Sequence, residues 1–284
     1  MKNILLPTDF SEIAFNAMEY AVQLFKDEDC TFHLLNTFSP PSYNMATMAD
    51  GNPALTIEDN SREYSENRLL EIEKKLKKKF NNPKHTFKRT AALNFLVSEI
   101  RDMVKQQNID LIVMGTKGAT GAREVFLGTS TMYTIKRVNC AVIVVPEKFT
   151  YEKPKNILFP TDYMFSLENK YLPLLRSICT QHKSRLSILN VSSGKPLQSP
   201  QITRKDQLED FFKHNNHIFM EEENMDISEA IEQFQIKHKI DFLAMIHNKH
   251  SFFENLFFKP VIKQIVYRTN IPFMVIPSIA LMND

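Results

Sequence analysis

Two hydrophobic rhythms alternate along this chain: short unbroken apolar runs, and longer stretches in which apolar residues return every three or four positions. The first rhythm marks strands covered on both faces, and the second marks helices with one buried face. Ile4–Leu6 is the first such strand, and Ser11 is placed to cap the helix that follows. That helix sets Ala14, Ala17, Met18, Ala21, Val22 and Phe25 on one face. Phe32–Leu35 reads as the next strand, and Ser39–Asn60, rich in Pro, Asn, Met and Ala, as a long excursion. Ser61–Phe80 is helical with Leu69, Leu70, Leu76 and Phe80 inward. His85–Lys88 follows as a strand, Leu96–Gln107 as a helix, and Leu111–Met114 and Val142–Val145 as buried strands. The order β-α-β-α-β-α-β-α-β predicts an open, mostly parallel α/β sheet.

The pattern occurs twice. Lys2–Phe10 reads KNILLPTDF and Lys155–Tyr163 reads KNILFPTDY, identical at seven of nine positions at an offset of 153 (155 minus 2). Asp110–Pro146 lies over Asp241–Pro277 without a gap at an offset of 131 (241 minus 110). Identities there include Asp110/Asp241, Met114/Met245, Phe126/Phe257, Arg137/Arg268, Asn139/Asn270 and Pro146/Pro277. The second copy is therefore 22 residues shorter (153 minus 131), and the loss lies in its middle. Each copy is the size of a domain rather than a solenoid unit, so the expected division is 1–149 and 150–284, with a polar seam at Glu147–Pro154. Each copy should form a five-stranded sheet flanked by helices.

Composition narrows the classes of function. With 43% hydrophobic and 24% charged residues over 284 positions, the chain is expected to be globular. A net charge of +2 offers no excess for nucleic acid or acidic lipid, and no apolar run approaches the ~20 residues of a membrane span. The opening MKNILLPTDFSE reads as a strand and a turn, not as a secretory leader. Cys30, Cys140 and Cys179 form no disulfide framework or paired metal spacing, which fits a reducing, cytoplasmic setting.

In an open α/β sheet, ligands bind beyond the carboxyl ends of the strands, where the strand order switches. Two segments leave strand ends with unusual chemistry: Pro7-Thr8-Asp9, and the stretch from Gly115 to Thr131. Four of the six glycines fall within Gly115–Gly128, so the backbone there turns sharply or is closely approached. Gly115 and Gly118 would let main-chain N–H groups face one anion. Gly128, Thr129 and Ser130 would open a helix whose free N–H groups favour the same anion, and Thr131 adds a hydroxyl. The chemistry predicted is a phosphate chain. No GxxxxGK[ST] occurs, and the turn after the first strand is Pro-Thr-Asp rather than GxGxxG, so neither a P-loop nor a dinucleotide fingerprint is present. A tight turn before a capped helix would use the same residues, and the glycines alone leave both readings open.

Gly115-x2-Gly118-x9-Gly128-Thr129 matches the glycine motif of the ATP-binding universal stress proteins, and Pro7-Thr8-Asp9 and the closing Val-Ile-Val-Val-Pro strand resemble the same family. The resemblance covers nearly the whole chain, as two tandem domains of Rossmann-like fold. It implies an adenine nucleotide, ATP or else ADP or AMP, with Mg or Mn at the phosphates. It implies that Asp9 accepts hydrogen bonds from adenine or ribose, and that Pro7, Thr8, Thr37 and Met114 line the adenine slot. By the same resemblance, backbone at Gly115, Thr116 and Gly118 would hold ribose and the first phosphates, and Gly128, Thr129, Ser130 and Thr131 the terminal ones. Lys117 and Arg123 would either neutralise phosphate or sit solvated in the loop. Paired domains of this family imply an intrachain pseudo-dimer through Ala141–Val145 and Phe273–Ile276, with room for a further homodimer. They also imply a nucleotide-dependent role in sensing or regulating stress toward a protein partner of unknown identity.

The second copy departs from the motif. At the 131 offset, Gly115 becomes Ile246, Gly118 becomes Lys249, Gly128 becomes Lys259, Thr129 becomes Pro260 and Ser130 becomes Val261. Side chains replace close backbone approach, proline removes an N–H and valine removes a hydroxyl, so this copy should not bind ATP in the same way. His247 with His250, and His214 with His217, lack a third ligand at metal spacing. The Phe252–Phe258 cluster would cover the abandoned cleft or face a partner. Lys74–Lys79 and Glu221–Glu223 read as solvated surfaces, and no cysteine has a paired histidine for nucleophilic catalysis. The expected function is nucleotide binding; a slow ATPase and a nucleotide-independent interaction module remain as alternatives.

Overall fold

The computed structural model describes residues 1–38, 53–116, 128–192, 194, 196–247 and 270–278, with 53–59 as backbone only. In the first half the elements are β1 (Lys2–Pro7), α1 (Glu12–Leu24), β2 (Cys30–Phe38), α2 (Pro53–Phe80), β3 (His85–Leu93), α3 (Leu96–Gln106), β4 (Leu111–Thr116), α4 (Thr129–Arg137) and β5 (Ala141–Pro146). The second half supplies β6 (Asn156–Pro160), α5 (Leu172–His182), β7 (Arg185–Ser192), α6 (Ser199–Phe212), β8 (Asn216–Glu223), α7 (Ile227–His238), β9 (Phe242–His247) and β10 (Phe273–Pro277). The α/β class and parallel pairing expected from the sequence are present. One difference is α2, which begins at Pro53 and takes in the end of the expected excursion.

All ten strands form one sheet in the order β3-β2-β1-β4-β5-β10-β9-β6-β7-β8. Within each half every pairing is parallel; the halves meet where β10 lies antiparallel to β5, with Phe273 opposite Val144 and Val275 opposite Val142. These are the closing strands named from the sequence. Every residue of β5 and β10 is buried, as the unbroken apolar runs require. The carboxyl ends of the strands in the two halves therefore point in opposite directions along the sheet.

Local chemistry explains the boundaries. Ser11 caps α1 by accepting the Ala14 N–H, and Asp226 caps α7 by accepting those of Ser228 and Glu229. Lys183 and Lys239 adopt left-handed conformations that close α5 and α7. The buried face of α1 includes Ala17, Met18, Ala21 and Val22, as expected, and also Tyr20 and Leu24. The Asp110 carboxylate accepts the Asn3 N–H, and its counterpart Asp241 accepts those of Lys155 and Asn156. This repeated aspartate is thus a clasp at the start of the sheet.

Side chains of the second half lock onto backbone of the first. Tyr171 Oη donates to the Asn139 carbonyl at 2.7 Å, and His182 Nε2 lies 2.9 Å from the Leu24 carbonyl. Burial holds His182 below its ordinary value; the Leu24 carbonyl and Asp27 oppose this, while Lys153 and Lys26 reinforce it. Because the folded-state value lies below 6.5, the unfolded chain takes up the proton first. The junction is at full strength above about pH 6.5 and weakens as pH falls below it. His182→Gln keeps an N–H donor without the titration, so its stability should fall less than wild type between pH 7 and 5. Urea melts across that range test this; an unchanged slope would assign the acid sensitivity to other histidines that burial lowers, His33, His85 and His238.

Candidate nucleotide site

The first half has the strand order 3-2-1-4-5, so its order switches between β1 and β4. Those two strands pair only at Ile4–Leu111 and Leu5–Ile112, whereas β4 stays with β5 as far as Thr116 and Pro146. Beyond Leu5 the strands part, and both unusual segments of the sequence leave from the opening.

The β1 segment is a self-bonded turn. Thr8 Oγ1 accepts the Phe10 N–H at 2.9 Å, and Asp9 Oδ1 accepts the Ser11 N–H at 3.0 Å. Phe10 is left-handed, with φ 66°, a cost these bonds offset. The second copy builds the same turn: Thr161 Oγ1 accepts from Tyr163, Asp162 Oδ1 from Met164, and Tyr163 has φ 61°. Asn36 and Asn190 each donate Nδ2 to the carbonyl of the turn threonine. Pro7 and Thr8 are buried, while Asp9 is exposed with Oδ2 outside this bond. Thr37 lies inside β2 rather than past it, half-buried. Met114 is buried in β4.

At the end of β4 the glycines divide into two kinds. A Cβ on Gly115 would lie 2.6 Å from the carbonyl oxygen and Cγ2 of Ile13, so the close approach here is made by the backbone of α1. Gly128 differs. Its φ of −55° and ψ of 142° suit any residue, and among the described residues an added Cβ would meet only Thr131 Oγ1, at 3.8 Å. The described part of the fold does not require glycine at that point.

Gly128 is the N-cap of α4, whose first intrahelical bond runs from Met132 N–H to the Gly128 carbonyl. Thr129, Ser130 and Thr131 thus have N–H groups with no intrahelical acceptor, at the positive end of the helix dipole. Thr129 and Ser130 are exposed, whereas Thr131 is 2% exposed and donates its hydroxyl to the Gly115 carbonyl at 3.1 Å. The Gly128 N–H donates to Thr116 Oγ1 at 3.1 Å. Lys117, Gly118 and Arg123 lie outside the described residues.

The second half differs where the motif is lost. Ile246 stands at the position of Gly115, where a side chain would enter the backbone of a helix placed like α1. Glu12 corresponds to Phe165 at the 153 offset, yet residues 161–171 are turns and bends, and α5 starts only at Leu172. The first turns of the helix are absent where the glycine that admits them is absent. His247 ends β9 and is 3% exposed; residues 248–269, with the remaining substitutions and the phenylalanine cluster, lie outside the described residues.

Residues 1–146 match the Universal stress protein family. The chain belongs to this family. A universal stress protein of Methanocaldococcus jannaschii is 28% identical over 154 residues, covering 54% of this chain and 84% of that protein. A second from the same organism is 29% identical over 157 residues, covering 52% and 96%. The crystal structure of a universal stress protein from Archaeoglobus fulgidus covers 97% of this chain and 98% of its own at a TM-score of 0.71 and 16% identity, so the fold is shared along the whole length.

Burial pushes the Cys140 and Cys179 thiols up to about 12 and Cys30 up to about 11, so none is a thiolate nucleophile at neutral pH. Among the described residues, no three metal-ligating side chains converge, and no helix is long and apolar enough to cross a membrane. Asn36, which the sequence reading missed, gave no local signal, because its partner Thr8 is distant in the chain.

The two glycines should respond differently to a methyl group. Gly115→Ala forces α1 off β4 and should cost about 1–3 kcal/mol, whereas Gly128→Ala should stay within about 0.5 kcal/mol of wild type. Guanidinium melts of the two variants check this; equal losses would contradict the contact with Ile13.

Proposed function

We propose that this universal stress protein binds one adenine nucleotide, ATP or else ADP or AMP, in its first half, and that nucleotide occupancy regulates its part in a stress response. The observation that carries the reading is Gly128: a glycine that neither its φ and ψ nor its described neighbours require, at the opening of a helix beyond the β1–β4 crevice. Absence of a side chain there leaves room for a phosphate to reach the first-turn N–H groups. Family membership and the Gly115-x2-Gly118-x9-Gly128-Thr129 spacing support it.

In this reading the phosphates meet Gly118, Gly128, Thr129 and Ser130, with Thr131 close behind. The base lies toward Pro7, Thr8, Thr37 and Met114, Gly115 and Thr116 run beside the ribose, and Asp9 offers its outward oxygen. Mg or Mn would be carried chiefly by the phosphates. The chain acts as two tandem units, 1–149 competent for nucleotide and 150–284 not. Binding to the folded state alone stabilises it by mass action, and that state is what a protein partner would read. A cytoplasmic location and a further homodimer remain part of the proposal.

Gly128→Val separates this from a purely structural loop. The variant should melt like wild type and lose at least about tenfold in Mg-ATP affinity by calorimetry, roughly 1.4 kcal/mol. Undiminished affinity in a folded variant would overturn the reading. Phosphate release by wild type no faster than by this variant identifies a binder; faster release identifies the slow ATPase.

A further inference from the structure

We propose that Thr116 and Thr131 are positioning residues of the nucleotide site, which pin α4 to β4 and do not themselves touch the ligand; this rests on the nucleotide reading above. The two hydroxyls make crossed bonds between the same two elements. At the strand end, Thr116 Oγ1 accepts the Gly128 N–H; from the helix, Thr131 Oγ1 donates to the Gly115 carbonyl. Both bonds measure 3.1 Å and together join the two ends of the glycine loop. One bond alone would leave a hinge; two bonds from adjacent strand residues to the first turn of α4 fix its direction.

A ligand role for the Thr131 hydroxyl fits the chemistry poorly. A threonine hydroxyl has one proton to give, and that of Thr131 goes to Gly115, leaving acceptor lone pairs that an ionised phosphate oxygen cannot use. Thr116 and Thr131 are 1% and 2% exposed, while Thr129 and Ser130 stand exposed beside them. The exposed pair is oriented for contact, and the buried pair holds it there.

The second copy supplies an independent argument. At the 131 offset, Thr116 becomes His247 and Thr131 becomes Ile262, so both hydroxyls are lost, as Gly128 is to Lys259. Turn residues that serve the fold persist in both copies, as Thr8/Thr161 and Asp9/Asp162 do. The clamp disappears with the site instead.

The test compares Thr116→Val and Thr131→Val with Thr116→Ser and Thr131→Ser; alanine variants, which add no bulk, run alongside in case valine prevents folding. Three readouts are taken on the full chain: Mg-ATP affinity by calorimetry, melting temperature, and hydrogen exchange of the Gly128 amide without nucleotide. The clamp predicts faster Gly128 exchange in the Thr116→Val and Thr116→Ala variants. It also predicts about tenfold weaker binding when either hydroxyl is removed, with binding restored by serine. Weaker binding with unchanged exchange would make Thr116 a direct ligand and overturn the proposal. Lower melting temperature with unchanged affinity would reduce the clamp to a fold contact and also overturn it. Wild-type protein that binds no Mg-ATP would instead sink the nucleotide reading itself, and the positioning role with it.

Discussion

The antiparallel pairing of β5 with β10 sets the architecture. Each half is an open parallel sheet whose closing strand is apolar on every residue, and such a strand cannot remain an edge in water. Joining the two removes both exposed edges at once, merges ten strands into one sheet, and leaves only β3 and β8 at the rims. The rims carry polar and charged residues, including Lys88 and Arg89 on one side and Glu221, Glu222 and Glu223 on the other. Because the join is antiparallel, the crevice between β1 and β4 and the corresponding place in the second half open at opposite ends of the sheet. Each half must therefore complete a site from its own loops.

Two copies of one plan in a single chain form an internal control. What both keep, the fold needs: the Thr-Asp turn with its left-handed aromatic residue, the asparagine that bonds the turn, and the aspartate that clasps the first strand. What only the first keeps divides again. Gly115 admits the backbone of α1, and the helix of the second half starts late where Ile246 takes its place. Gly128 admits nothing belonging to the described protein. That contrast separates a glycine required by packing from one that the described packing does not require, although both belong to one motif.

Much of the fold was legible because strands buried on both faces are written as unbroken apolar runs, as at Leu111–Met114 and Val142–Val145. The repeat showed that the plan occurs twice, and the join of β5 with β10 was what the family resemblance implied. Boundaries were less so: β4 runs on through Gly115 and Thr116, polar or small residues that a hydrophobic pattern stops short of, and β2 takes in Thr37. α2 reaches back to Pro53, since proline suits a first helical turn but also reads as a loop residue. Site residues were legible by type and not by partner. Nothing local says that the Thr131 hydroxyl faces Gly115, or that the crowding at Gly115 comes from Ile13; the fold brings together residues 16 apart in the first contact (131 minus 115) and 102 apart in the second (115 minus 13).

The central claim is that one of the two halves holds a nucleotide and the other does not. Titration of the purified, nucleotide-stripped full chain with Mg-ATP in a calorimeter reads that number directly. The account predicts one equivalent per chain. Two equivalents would mean that the second half binds despite Ile246 and Lys259, and none would remove the nucleotide from the first.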